Sequence, residues 1–98
     1  MIYTVTVIRV RKSAPDSTRC VGYYLDKDKA IHAVESNYLD IAELGYYKYA
    51  VIHPVHEGIH QIPEESESNW FKYDVNLNIF KWTKKPEQLK GWACVGIG

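Results

Sequence analysis

The sequence predicts an α+β fold, an antiparallel sheet that carries one main helix. Three observations carry this reading. Ile2 to Val10 alternates in the manner of a strand, Leu25 to Gly45 repeats its apolar residues at helical spacing, and two short aromatic runs follow on either side of an asparagine-rich turn. Runs of strands around one helix favour antiparallel pairing over βαβ units. The expected order is β-β-α-β-β-β with five to six strands, in one globular domain over residues 1–98.

The elements follow in chain order. In Ile2 to Val10, Tyr3, Val5 and Val7 face one way and Thr4 and Thr6 the other, and the β-branched content suits a pleated surface. Arg11 to Thr18 contains Ser13, Pro15, Asp16 and Ser17, residues that favour turns, so a loop is expected there. Cys20 to Leu25 reads as a second strand, paired to the first as a hairpin. Asp26 stands at the N-cap position and Asp28 places negative charge in the first helical turn. Ala30, Ile31, Val34, Tyr38, Ile41 and Ala42 form the apolar stripe. Gly45 is the expected stop, because glycine adopts the left-handed C-terminal conformation at little cost. Ser36 and Asn37 are weak helix formers and mark a place where the helix can break.

Tyr46 to Val55 is the next strand, with Pro54 near its end. Gly58 to Asn69 reads as an acidic loop. Trp70 to Val75 and Ile79 to Thr83 form a hairpin with Asn76 and Asn78 between them. Lys84 to Lys90 holds Pro86 and reads as a turn, and Gly91 to Gly98 supplies the sixth strand.

Composition excludes several classes of function. Lys plus Arg and Asp plus Glu number 12 each, so the formal net charge is zero. A chain built to live on nucleic acid carries a basic excess and a DNA mimic an acidic one, so nucleic acid is not expected as a direct partner. Charge is segregated locally: Tyr49 to Phe71 has no Lys or Arg but holds Glu57, Glu64, Glu65 and Glu67, whereas Lys81 to Lys90 holds four lysines and one glutamate. No apolar run approaches the ~20 residues that span a bilayer, so no membrane partner is expected. Met1 to Val10 is too short and too interrupted for a signal peptide. The expected location is the cytoplasm, with Cys20 and Cys94 as free thiols, and a disulfide between them stays open as an alternative because sequence gives no distance.

No frame for catalysis is visible. There is no GxSxG elbow and no glycine-rich phosphate loop. Glu35, Asp40 and Glu43 read as a solvated helix face. His53, His56 and His60 stand within eight residues and could ligate zinc beside Glu57. Pro54 and Gly58 argue against a helix there, and positions three apart on a strand point to opposite faces, so surface histidines are the better reading. Neither a metal nor a cofactor is expected. Aromatic and basic residues interleave at Trp70-Phe71-Lys72-Tyr73 and again from Phe80 to Lys85, a pattern that can stack rings and hold phosphates.

Asn37, Asp40, Ile41, Glu43, Tyr47, Tyr49-Ala50-Val51-Ile52, Gly58, Trp70 and Pro86 together resemble the pattern of a family of short proteins from Gram-positive gut bacteria and their phages. The sharpest stretch is Asn37 to Ile52, of the form N..DI.E...Y.YAVI. The family tends to have acidic residues where this chain has His53 and His56, which weakens the metal reading further. It carries no established activity, so the resemblance transfers no catalytic residue. What it implies is a setting: small phage and mobile-element proteins without enzyme motifs are often accessory factors that block a host defence component.

The expected function is therefore a non-catalytic binding protein that inhibits a host protein, for example a CRISPR nuclease. The expected contact residues are Glu64, Glu65, Glu67, Trp70, Tyr73 and Trp82, since aromatics anchor interfaces and acidic side chains suit a basic cleft. The alternative is a sponge for a nucleotide-like signal, using Trp70, Tyr73, Trp82 and Lys81, with the pocket at a homo-oligomer interface. A small metal-dependent enzyme ranks third.

Overall fold

The computed structural model describes residues 1–12, 14–58 and 68–86. Five strands form one sheet: β1 (Ile2–Arg11), β2 (Ala14–Tyr24), β3 (Tyr49–Val55), β4 (Asn69–Asp74) and β5 (Ile79–Thr83), with helix α1 (Lys27–Glu35) between β2 and β3. Their spatial order is β2-β1-β3-β4-β5 and every pairing is antiparallel. The expected α+β class and element order hold for the described residues. The expected sixth strand at residues 91–98 lies outside them, as does Cys94.

Alternation along β1 sorts its side chains as the sequence predicts. Val5 and Val7 join Ala50, Ile52, Phe71 and Phe80 in the main core, under Ala30 and Val34 of α1. Ile8 packs with Val51 and Trp70 in a second cluster. Thr4 and Thr6 are buried too, and the Thr4 hydroxyl donates to the His53 carbonyl at 3.4 Å. The sheet thus has apolar residues on both faces, and α1 covers one of them.

Three boundaries differ from the sequence reading by more than one residue. The segment expected as a loop from Arg11 to Thr18 is mostly strand: Arg11 pairs with Ala14, and the chain reverses through Lys12, whose φ is 52°. Pairing with β1 overrides the turn propensity, and Pro15 is tolerated because β2 is an edge strand. The helix ends at Glu35 rather than Gly45, with Ser36 as its C-cap and Asn37 left-handed at φ 50°. β3 begins at Tyr49 rather than Tyr46. The N-cap falls where expected: the Asp26 carboxylate accepts the Asp28 N–H at 2.8 Å.

Phe71 and Phe80 are the largest fully buried side chains among the described residues. Phe71→Ala should lower stability by about 3–5 kcal/mol, read as a fall in the urea midpoint at unchanged slope.

Candidate interaction surface

Residues 36–48 form a turn that the helical spacing of Ile41 and Ala42 does not reveal. Asn37, Leu39, Asp40, Glu43 and Leu44 all have positive φ between 48° and 58°, and Gly45 follows at 92°. Asparagine and aspartate visit this region readily, whereas for leucine and glutamate the β-carbon crowds the following carbonyl at roughly 1–2 kcal/mol per residue. Tertiary contacts hold the turn in this form.

The contacts centre on Asn37, a buried side chain. Its Oδ1 accepts the Ala42 N–H at 3.0 Å, while its Nδ2 donates to Asp40 Oδ1 and to Asn78 Oδ1, each at 3.2 Å. The Asp40 carboxylate accepts the Leu44 N–H at 3.2 Å. Asn78 lies in the β4–β5 turn and also accepts the Tyr73 hydroxyl. The Tyr73 ring in turn closes over Gly45, where an added β-carbon would sit 3.4 Å from the ring edge. Ala42 and Tyr47 sink into the core. Two outer ties flank the turn: Glu43 bridges to Arg19 of β2 at 3.3 Å, and Arg9 donates to the Tyr46 hydroxyl at 3.0 Å.

Held this way, the turn directs Leu39 and Leu44 outward. Leu39 is 83% exposed and Leu44 89%, with Tyr38 and Tyr46 also open to solvent. A hollow of about 160 Å³ lies beside them, lined by Val21, Gly22 and Tyr24 of β2 and by Tyr38, Leu39 and Ile41 of the turn. A second hollow adjoins it through Tyr24, Ala33 and Tyr38.

The residues singled out from sequence fall in different places. Glu64, Glu65 and Glu67 lie outside the described residues, as does His60. Trp70 is 5% exposed, packed with Ile8 and Val51 under the Lys85 amine, so its ring has no face to offer a partner. Tyr73 is half-buried and edge-on to Phe80. Trp82 is 64% exposed. Tyr73, Lys81 and Trp82 do share one shallow hollow, together with Lys72. The turn itself was missed as a surface; its signal was Leu39 and Leu44, apolar residues that fall between the stripe positions of the expected helix.

His53 is buried and His56 exposed, and among the described residues no three metal donors cluster. His53 Nδ1 lies 2.6 Å from Ser68 Oγ. A serine beside an imidazole is two parts of a nucleophilic triad, but neither residue lines the hollows above. Among the described residues, no helix is long and apolar enough to cross a membrane.

Compared with family models, with curated proteins and with solved structures, the chain matches none.

Asn37→Gly keeps the left-handed backbone and loses only the hydrogen bonds, at about 1–3 kcal/mol. Asn37→Ala adds the steric cost of a β-carbon and should fall about 1 kcal/mol further. Equal midpoints for the two variants in urea would show that the backbone at this position is unstrained.

A second expectation concerns Asp74. The hydrogen bond from Lys81, with further ones from the Leu77 and Asn76 N–H groups, holds its carboxyl below the ordinary aspartate range. A depressed folded value means that the carboxylate supports the fold above the unfolded value of about 3.9 and loses that support as pH falls through the folded value. Lys81→Met should move the Asp74 titration upward, read by NMR.

Proposed function

We propose that this chain is a small non-catalytic binding protein that docks on a protein of a bacterial host and blocks it, as accessory factors of phages and mobile elements do. The observation that carries the reading is the strained turn. Leucines at positive φ are costly, and Leu39 and Leu44 repay none of that cost by burial. Strain that the surroundings over-determine is typical of sites that contact something else. Exposed leucines and tyrosines, held rigid before binding, supply apolar area with little ordering entropy left to lose. The resemblance carried by Asn37 to Ile52 supports the accessory setting, and the acidic Glu64, Glu65 and Glu67 suit a basic cleft on an anti-defence target.

A second reading rests on the hollow shared by Lys72, Tyr73, Lys81 and Trp82. Lys72 beside an open indole suits a nucleotide-like ligand, with the ring stacking on Trp82, while Lys81 shares its charge with Asp74 in the same hollow. Mass spectrometry of denatured protein separates the two readings, since a stoichiometric nucleotide would favour the sponge.

The leading reading is tested with the double variant Leu39→Gly/Leu44→Gly. Glycine relieves the steric strain, so thermal stability should hold or rise by up to about 1 kcal/mol per site. Binding of the protein captured by the wild type from a bacterial lysate should weaken at least roughly thirtyfold, because the two side chains act as interface anchors. Unchanged capture would overturn the assignment of this surface.

A further inference from the structure

We propose that the cleft between β2, α1 and the turn binds a free aromatic amino acid. Its ring enters the apolar hollow, and its ammonium and carboxylate groups meet Asp28 and Lys29. The inference is independent of the host-protein reading.

The apolar end is built at an irregularity of the sheet. The β1–β2 register shifts between Val5 and Thr6, which leaves a β-bulge at Val21 and Gly22. A bulge sets two successive residues against one partner and re-aims their side chains. Val21 and Gly22 accordingly both border the hollow, although successive residues of a regular strand face opposite ways. Val5, the partner of Gly22, lines it too. A β-carbon on Gly22 would meet no atom within 4 Å, so the place of the missing side chain is open space. Leu39 and Ile41 border the hollow from the turn. It holds about 160 Å³, similar to a cavity of about 150 Å³ that accepts benzene.

Tyr24 and Tyr38 line both this hollow and a wider basin of about 530 Å³ that continues from it. The basin has a different chemistry. Asp28, Lys29, His32 and Ser36 form its wall on α1. Positions three and four apart share a helix face, which brings these side chains together. Neither Asp28 nor Lys29 is spent on the fold. Among the described residues, the ion pairs join Arg9 to Asp16, Arg19 to Glu43 and Lys81 to Asp74.

Size and charge together select the occupant. One carboxylate and one ammonium in the same basin suit a zwitterion, whereas a simple anion meets repulsion from Asp28 and a simple cation from Lys29. An α-amino acid carries both charges on one carbon, and an aromatic one adds a ring of the size the hollow accepts. The hydroxyls of Tyr24 and Tyr38 and a ring N–H of His32 are further donors for its carboxylate. An apolar concavity with a few polar groups at one end is the ordinary form of a small-molecule site. The two volumes together lie in its usual range of roughly 300–1,000 Å³.

The test is an amide-detected NMR titration of the full chain with L-phenylalanine to about 10 mM. Saturable shifts should appear at the amides of Val21, Gly22, Ala33 and Ile41. L-Alanine keeps the head without the ring, and N-acetyl-L-phenylalanine amide keeps the ring without the charges. Both should bind at least roughly tenfold more weakly. Gly22→Val fills the hollow and should weaken binding by a similar factor, with the circular dichroism of the wild type. Asp28→Asn and Lys29→Gln, at exposed positions, should each weaken it about threefold, the scale of a solvent-exposed ion pair. Leu44→Gly, which borders neither hollow, should bind the amino acid as the wild type does. Absence of a saturable shift in the wild type overturns the proposal. So does binding left unchanged by Gly22→Val or by both head-group variants. Equal binding of the acetylated amide overturns it as well, and assigns the hollow to an aromatic side chain of a protein.

Discussion

The side chain of Asn37 holds three parts of the molecule together. It ends α1 by taking the left-handed conformation, satisfies the buried N–H of Ala42, and reaches across to Asn78 in the β4–β5 turn. A buried amide has few ways to satisfy its donors and acceptor, so each partner must arrive in one place. Ala42 and Tyr47 are buried because the turn is drawn down here, and Leu39 and Leu44 point outward for the same reason. Tyr73 completes the lock by packing on Gly45 while its hydroxyl bonds to Asn78.

The turn and the β2 edge lie side by side. Glu43 is tied to Arg19, and Leu39 and Ile41 share a hollow with Val21 and Gly22. Surface that elsewhere would be charged or capped is here apolar and presented on a fixed backbone. Exposed ion pairs such as Arg19–Glu43 add little stability on their own, but they narrow the positions the turn can take. Rigidity and apolar exposure in the same few residues are the physical basis for reading this region as one that meets other chains.

The strands were legible where period two was clean. Ile2 to Val10 showed both faces of β1, and the asparagines at 76 and 78 marked the β4–β5 turn. The helix start was legible from Asp26. Its end was not, because Ile41 and Ala42 continue the helical spacing although the turn places them in the core by another route. Ser36 and Asn37 held the correct signal, which the more conspicuous Gly45 outweighed. Between Arg11 and Thr18, turn-favouring residues lost to the ladder with β1, a contact that no local reading can weigh. Trp70 and Tyr73 carried the right chemistry for contact, but alternation in β4 sends both rings inward, one to each face of the sheet. Trp82 lies on an edge strand and stays exposed.

The sheet order has a consequence for how the chain folds. The pairs β1–β2 and β4–β5 are hairpins closed by short reversals, whereas β3 pairs with β1 across more than forty residues and joins the two halves. Loop closure over that span must be met before its contacts contribute. The hairpins can therefore form early and independently, and the insertion of β3 between them sets the pace. Because Asn37 and Asn78 bond only once both hairpins flank β3, the outward turn is among the last parts to take shape. A nascent or partly folded chain would accordingly lack the outward presentation of Leu39 and Leu44 until the sheet is whole.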